Sequence, residues 1–154
     1  LKRCVFLDRD GVINVKIEGG YVRNWSEFRF LPNIADWIRL FNALDLLVIV
    51  VTNQRGVALG RMTEADLAGI HDRMIAELAA QGARIDDVFA CPHHSGVCEC
   101  RKPKPGMVFQ ARDKWAIDLA GSLMIGDSDS DEQMAAAAGL RFLRAVDGRL
   151  SGSV

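Results

Sequence analysis

Asp8 and Asp10, separated by one residue, follow the apolar run Val5-Phe6-Leu7 and precede Gly11. In an extended chain, side chains two apart share a face, so both carboxylates can converge at a strand's carboxyl end, where glycine lets the backbone turn. Two acids this close repel, and a divalent cation is the natural way to keep one ionised. Three further polar clusters have the same form. Thr52 and Asn53 close the apolar run Leu46 to Val51, Arg101 and Lys102 lie in a polar loop after a third strand, and Asp127, with Asp131 one helical turn on, closes Leu123-Met124-Ile125-Gly126. Asp8, Asp10 and Asp127 are hard oxygen donors, which favours Mg²⁺ sharing its coordination with waters and a phosphate oxygen. Thr52 and Lys102 suit the equatorial oxygens of a phosphoryl group in transfer. A carboxylate as attacking group would make the intermediate an aspartyl phosphate.

A second cluster is Cys91-Pro92-His93-His94-Ser95-Gly96-Val97-Cys98-Glu99-Cys100. Three thiolates and one imidazole, from His93 or His94, make a closed tetrahedral zinc set with no position left for water, so the zinc is expected to be structural. Its work would be to fix the loop so that Arg101 and Lys102, directly after the last ligand, point into the site. Arg101 is the candidate for a second anionic group on the substrate, since Arg grips phosphate in a bidentate fashion and Lys acts as a point charge.

The elements that would position these groups alternate between strand and helix. Residues 3 to 8 read as a buried strand, with Cys4 a small core residue. Residues 11 to 31, with Gly19-Gly20-Tyr21, read as a flap or short hairpin beside the two aspartates. Pro32 is expected to open a helix whose apolar face is Ile34, Trp37, Ile38, Phe41 and Leu44. Leu46 to Val51 reads as a central parallel strand. Thr63 is the expected N-cap of a second helix lined by Leu67, Ile70, Met74 and Leu78, with His71 beside the stripe in a structural role and Gly82 stopping the helix. Val88 to Ala90, Leu123 to Ile125 and Arg141 to Val146 are three more strands. Helices fall at roughly 105–115 and through the alanines to Gly139, an expected C-cap. This order predicts an α/β fold, a mainly parallel sheet covered on both faces with ligands outside the strands' carboxyl ends.

The length of 154 residues suits one domain spanning 1–154, with a tail from about 147 expected to fray. A net charge of −1 gives no reason to expect nucleic acid or an anionic membrane. No apolar run approaches a membrane span, and no amino-terminal segment has signal-peptide order. Three of the four cysteines fall between positions 91 and 100, which points to metal rather than disulfides and to a reducing, cytoplasmic home. A monomer is expected.

Asp-Arg-Asp-Gly, Thr-Asn-Gln, Arg-Lys-Pro and Gly-Asp-x-x-x-Asp together resemble the haloacid dehalogenase superfamily of phosphatases, over about Phe6 to Leu143, and within it the histidinol-phosphate and heptose-bisphosphate phosphatase group. The resemblance implies a Rossmann-like three-layer sandwich with a minimal cap and a zinc-bound loop. It implies that Asp8 is the nucleophile and a Mg²⁺ ligand. Asp10 would be the general acid, then the base, and would bind the metal through its backbone carbonyl. Thr52 and Lys102 would hold the phosphoryl group, and Asp127 would complete the metal site with Asp131 behind it. Zinc would be held by Cys91, His93 (the first histidine of the pair), Cys98 and Cys100, with His94 the alternative. Substrate contacts are expected from Glu18, Gly19, Gly20, Tyr21, Asn53, Gln54, Arg55, Arg101 and Ser128; Ser128 stands where the family often has a lysine. Gly-Gly-Tyr-Val at 19–22, the 52–60 stretch and Arg-Lys-Pro-Lys-Pro-Gly-Met favour the heptose branch. The expected reaction is removal of the C7 phosphate of D-glycero-D-manno-heptose 1,7-bisphosphate. Histidinol phosphate is the alternative substrate, and an inactive zinc-stabilised interaction domain is the alternative of another class.

Overall fold

The computed structural model describes residues 1–146 and 149–151. Cys4–Leu7 (β1), Leu47–Asn53 (β2), Asp87–Cys91 (β3), Leu123–Gly126 (β4), Arg141–Val146 (β5) and Arg149–Ser151 (β6) form one sheet in the order β3-β2-β1-β4-β5-β6. The first five strands are parallel, and β6 runs antiparallel to β5.

Alternation along the strands explains the layering. Val5, Leu7, Val48 and Val50 face one way, into a cluster with Ile38 and Phe41 of α1 (Ile34–Ala43) and Ile70, Met74 and Leu78 of α2 (Glu64–Ala80). Cys4, Phe6, Ile49 and Val51 face the other way, against Met107, Val108 and Ala111 of α3 (Gly106–Trp115) and Met134 and Ala135 of α4 (Asp129–Ala138). Strands β1 and almost all of β2 are therefore buried on both faces, as their unbroken apolar runs require. Each fully buried Ile, Leu or Met adds about 1.5–3 kcal/mol of burial. Cys4 belongs to this core, and burial pushes its thiol well up, which makes it inert.

The structure corrects three expectations. Pro32 does not open α1; the N-cap is Asn33, held at a φ of 68°. Trp37 and Leu44 are not core residues but 38% and 59% exposed, because the sheet beneath α1 covers only the Ile34, Ile38 and Phe41 stripe. The tail is not wholly frayed, since Arg149–Ser151 pair with β5 as an edge strand; residues 147–148 and 152–154 lie outside the described residues. The helix caps at Thr63 and Gly139 agree with expectation, as does the end of α2 before Gly82.

Residues 11–31 hold turns, single bridges from Asn14 to Asp10 and Phe30, and a 3-10 turn over Trp25–Glu27. Trp25 stacks on Phe28 at 4.7 Å, and Phe30 meets Phe28 edge-on, anchoring this flap without an inserted domain.

Candidate active site

From β1 the chain builds outward to β2 and β3, then returns to place β4 and β5 on the other side. The switch point lies between β1 and β4, where a parallel sheet opens a crevice. Asp8 leaves β1 on one side of it and Asp127 leaves β4 on the other. A cavity of about 220 Å³ lies there, lined by Asp8, Asp10, Asn53, Lys102, Asp127 and Ser128 together with flap residues Lys16, Gly20 and Tyr21.

Lys102 is the hub. It is buried, and its ammonium donates to Asp8 Oδ1 at 2.9 Å, Asp131 Oδ1 at 2.7 Å and the Val51 carbonyl at 3.1 Å. All three donors are used. Burial alone would lower the Lys102 pKa, but the two carboxylates outweigh it and raise it. Burial drives Asp8 well above the carboxylate range; Lys102 opposes this, and Asp131 and Asp10 add like charge. Asp131 moves the other way despite its burial, since Lys102 and Ser128 stabilise its charge. The difference has a structural cause. Asp131 Oδ2 also accepts from the backbone of Asp127 and from Ser128, whereas Asp8 faces two other acids.

Asp10 is held by three side chains. Its Oδ1 accepts from Arg9 at 2.8 Å and Asn14 at 2.9 Å, and its Oδ2 accepts from Gln54 at 2.8 Å. Burial would raise its pKa, yet the Arg9 guanidinium with the Asn14 and Gln54 amides holds it below the usual range. Arg9 is itself fully buried and lies 3.1 Å from His71 Nε2. Burial, then the Arg9 charge, pushes His71 down to about 3, so the imidazole is neutral. Sequence reading missed Arg9 and Asn14 and left His71 with only a structural part. It also missed Lys16, whose ammonium stands 3.8 Å from Asp127 Oδ2 and which lines both this cavity and an adjoining one of about 360 Å³.

Carboxylate oxygens of Asp8, Asp127 and Asp131 lie within 4.8 Å of one another. Among the described residues no donor hydrogen-bonds the Asp127 carboxylate, whereas Asp131 is committed to Lys102 and the start of α4. This fits Asp8 and Asp127 as direct ligands of a hard cation, with Asp131 behind them. Gly11 permits the approach: it sits at a φ of 88°, and a Cβ there would collide with the Asp127 carboxylate.

Cys91, His93, Cys98 and Cys100 also converge. His93 Nδ1 lies 3.5 Å from Cys91 Sγ and 3.2 Å from Cys100 Sγ, and the three sulfurs lie 2.9–3.5 Å apart. These distances approach the edges of a tetrahedron with bonds of roughly 2.3 Å, the geometry of a soft-ligand metal site. His93 belongs to the set and His94 does not. The loop is tied to the site beyond its cysteines. Asn53 accepts from the Lys102 backbone N–H at 2.9 Å and donates to its carbonyl at 3.2 Å, so β2 holds the backbone of the hub lysine.

The remaining expected substrate contacts divide. Gly20, Tyr21, Asn53 and Ser128 line the switch-point cavity; Glu18 lines the adjoining one, and Gly19 lines neither. Gln54 turns inward, joining Asp10 to the Thr52 hydroxyl at 2.9 Å, which leaves the Thr52 proton free to donate. Ser128 is the N-cap of α4, in a reciprocal capping box with Asp131. Nε of Arg55 and one terminal nitrogen of Arg101 are buried without an acceptor.

The HAD-hydrolase-like family matches residues 99–149. The chain is 46% identical to the D-glycero-beta-D-manno-heptose-1,7-bisphosphate 7-phosphatase of Rhodopseudomonas palustris, over 92% of this chain and 82% of that protein. It is 43% identical to the alpha-anomer 7-phosphatase of Mycobacterium bovis, over 98% of this chain and 83% of the relative. The crystal structure of D,D-heptose 1,7-bisphosphate phosphatase from B. bronchiseptica, complexed with magnesium and phosphate, superposes with a TM-score of 0.85 at 39% identity, covering 91% of this chain and 78% of that one. With its four polar clusters gathered at one switch point of a parallel sheet, this chain belongs to the heptose-1,7-bisphosphate 7-phosphatase family of HAD-like hydrolases.

Proposed function

We propose that the protein is a Mg²⁺-dependent phosphatase that removes the C7 phosphate of D-glycero-D-manno-heptose 1,7-bisphosphate through an aspartyl phosphate on Asp8. The observation that carries the reading is the convergence of Asp8, Asp10, Lys102 and Asp127 on one cavity at the sheet's switch point. Asp8 attacks phosphorus, the bond to the C7 oxygen breaks, and Asp10 gives that oxygen a proton. Asp10 then takes a proton from water as the water attacks the aspartyl phosphate, and Asp8 is regenerated. The charge-stabilising surroundings of Asp10 suit the second step; a phosphate dianion bound beside it pushes its pKa upward and suits the first. Thr52 and Lys102 stabilise the equatorial oxygens. Asp8, Asp127 and the Asp10 carbonyl would hold Mg²⁺, which when bound neutralises phosphoryl charge and keeps Asp8 ionised.

Zn²⁺ in the Cys91–His93–Cys98–Cys100 set would serve structure, since four protein ligands complete a tetrahedron and leave no position for water. Arg101, directly before Lys102 in the chain, and Arg55 would supply charge for the second phosphate, although neither lines the two cavities. The chain is read as one domain acting as a monomer on a small phosphorylated substrate. No helix among the described residues is long and apolar enough to cross a membrane. The test is phosphate release from both anomers of the bisphosphate, from histidinol phosphate and from sugar monophosphates. The expected preference is for a heptose bisphosphate, with Asp8→Asn reducing turnover about a thousandfold or more. Preference for histidinol phosphate would overturn the substrate. Release from none of them in the presence of Mg²⁺ would leave a zinc-stabilised interaction domain.

A further inference from the structure

Arg9 occupies the residue between the two motif aspartates, yet its side chain leaves the cavity altogether. It is fully buried beneath the site, with the Phe28 ring 5.8 Å away and His71 of α2 at its tip. A buried guanidinium is costly unless its donors and charge are matched; here the two terminal nitrogens have partners and Nε has none. One terminal nitrogen donates to Asp10 Oδ1, and the other meets His71 Nε2, which must accept because arginine has no acceptor. The acceptor fixes the imidazole as the tautomer with its proton on Nδ1. The chain thus runs from α2, through His71 and Arg9, to Asp10, joining residues 62 positions apart. Gln54 reaches Asp10 from the other side.

We infer that Arg9, steadied by His71, is a positioning residue that fixes the Asp10 carboxyl where the leaving oxygen must be protonated. This rests on the proposed role of Asp10 as general acid. The geometry supports a steering part rather than simple packing. Arg9 and Asn14 share Oδ1, and Gln54 takes one of the two acceptor directions of Oδ2. The remaining direction of Oδ2 is left for a group in the cavity that Asp10 lines. Without Arg9 the carboxyl loses the strongest of its three restraints and can rotate, and misplacement of an acid by a fraction of an ångström lowers the rate steeply.

The discriminating experiment varies the leaving group. When an alkyl phosphate is cleaved, the electron pair of the broken P–O bond stays on an alkoxide that needs the Asp10 proton. When 4-nitrophenyl phosphate is cleaved, the pair stays on a stable phenolate that needs none. The quantity compared is kcat/KM, which reports the steps through departure of the leaving group and so excludes the shared hydrolysis of the aspartyl phosphate. His71→Leu removes the acceptor behind Arg9, and His71→Gln keeps one. Expected for His71→Leu is about a tenfold loss on the heptose bisphosphate and less than about twofold on 4-nitrophenyl phosphate, with His71→Gln recovering most of the difference. Arg9→Lys, which keeps charge but cannot bridge Asp10 and His71, should lose about a hundredfold on the bisphosphate and far less on the aryl ester. Equal losses on both substrates, or no difference between His71→Leu and His71→Gln, would overturn the inference while leaving the phosphatase reading intact. A wild-type protein that cleaves neither substrate would overturn both. If Arg9→Lys fails to fold, the two His71 variants decide alone.

Discussion

Lys102, which on the proposed mechanism holds the phosphoryl group, also neutralises two buried acids, and its replacement by methionine tests the second part. The substitution keeps the volume of the chain and removes an ammonium that neutralises Asp8 and Asp131 in a buried site. Both side chains are nearly sealed, at 11% and 0% exposure, so solvent cannot take over the lost role. Removing one partner of a buried pair costs about 3–5 kcal/mol, and here one cation serves two acids. At about 2.1 cal/mol/K per residue, a chain of 154 residues unfolds with roughly 0.3 kcal/mol/K, so the melting midpoint should fall by about 10–15 °C. The deficit should depend on pH. Burial already raises Asp8 against the pull of Lys102, and without that pull the rise is greater. The native state then binds a proton at a pH where the unfolded carboxyl, titrating near about 4, does not. Stability is gained as pH falls, and the gap to wild type should narrow between pH 8 and pH 5. Thermal melts of both proteins across that range, with phosphate release measured alongside, make the assay. A midpoint within 2 °C (about 0.6 kcal/mol at this chain length) of wild type at pH 8, or a gap that does not change with pH, would refute the placement of Lys102 as the buried neutraliser.

Other predictions follow from the same geometry. His71 is held neutral, with a pKa pushed down to about 3, so its contribution to stability is complete above about pH 6.5 and is lost as pH falls; at 1.36 kcal/mol per unit, roughly 2 kcal/mol should be lost by pH 5. Urea unfolding of wild type and His71→Gln at pH 7.5 and pH 5 checks this, and equal pH responses would contradict it. One zinc per chain is expected by metal analysis, and Cys98→Ser should lower zinc content and activity together; full activity in zinc-free protein would show that the loop does not position Lys102. Arg101→Ala should lower kcat/KM about ten- to a hundredfold on the bisphosphate, from the loss of one charge-assisted contact of about 1.5–3 kcal/mol, chiefly through KM. The loss should shrink on a monophosphate; equal losses would mean that Arg101 does not read the second phosphate.

Legibility in the sequence follows how locally each feature is encoded. Asp8, Thr52 and Asp127 are legible because polar residues closing apolar strand runs mark the ligand end of a parallel sheet, and Lys102 because it lies in the polar loop that follows β3 at that same end. The Cys91–Cys100 cluster is legible because its three cysteines and its histidine lie within ten residues. Trp37 lies outside the core its spacing suggests, because helical spacing shows which residues share a face but not how wide an arc the sheet beneath covers. β6 carries no apolar run; an edge strand draws its hydrogen bonds from β5 and needs no buried face of its own. The capping box of Ser128 and Asp131 has a local signal, a serine three residues before an acid at a helix start, which competes with the reading of Ser128 as a phosphate contact.

Arg9 marks where such reading stops. Its position between two motif acids invites the view that it faces the same cavity, but alternation along an extended segment turns it the opposite way, into the core. A charge directed inward must find matching groups there, and these are Asp10 beside it and a neutral histidine on another helix. The apolar stripe of α2 could be read from its spacing, but the partner of the histidine beside that stripe could not, because that depends on how α2 packs over β1. The same chain segment therefore does two things by alternation: Asp8 and Asp10 present carboxyls to the cavity, and Arg9, pointing away from it, restrains one of them from behind. An acid–base residue held by a buried cation is less free to turn than one held by solvent. That restraint requires the arginine to lie on the inner face between two outward-facing acids, which is the order Asp8-Arg9-Asp10 that follows β1.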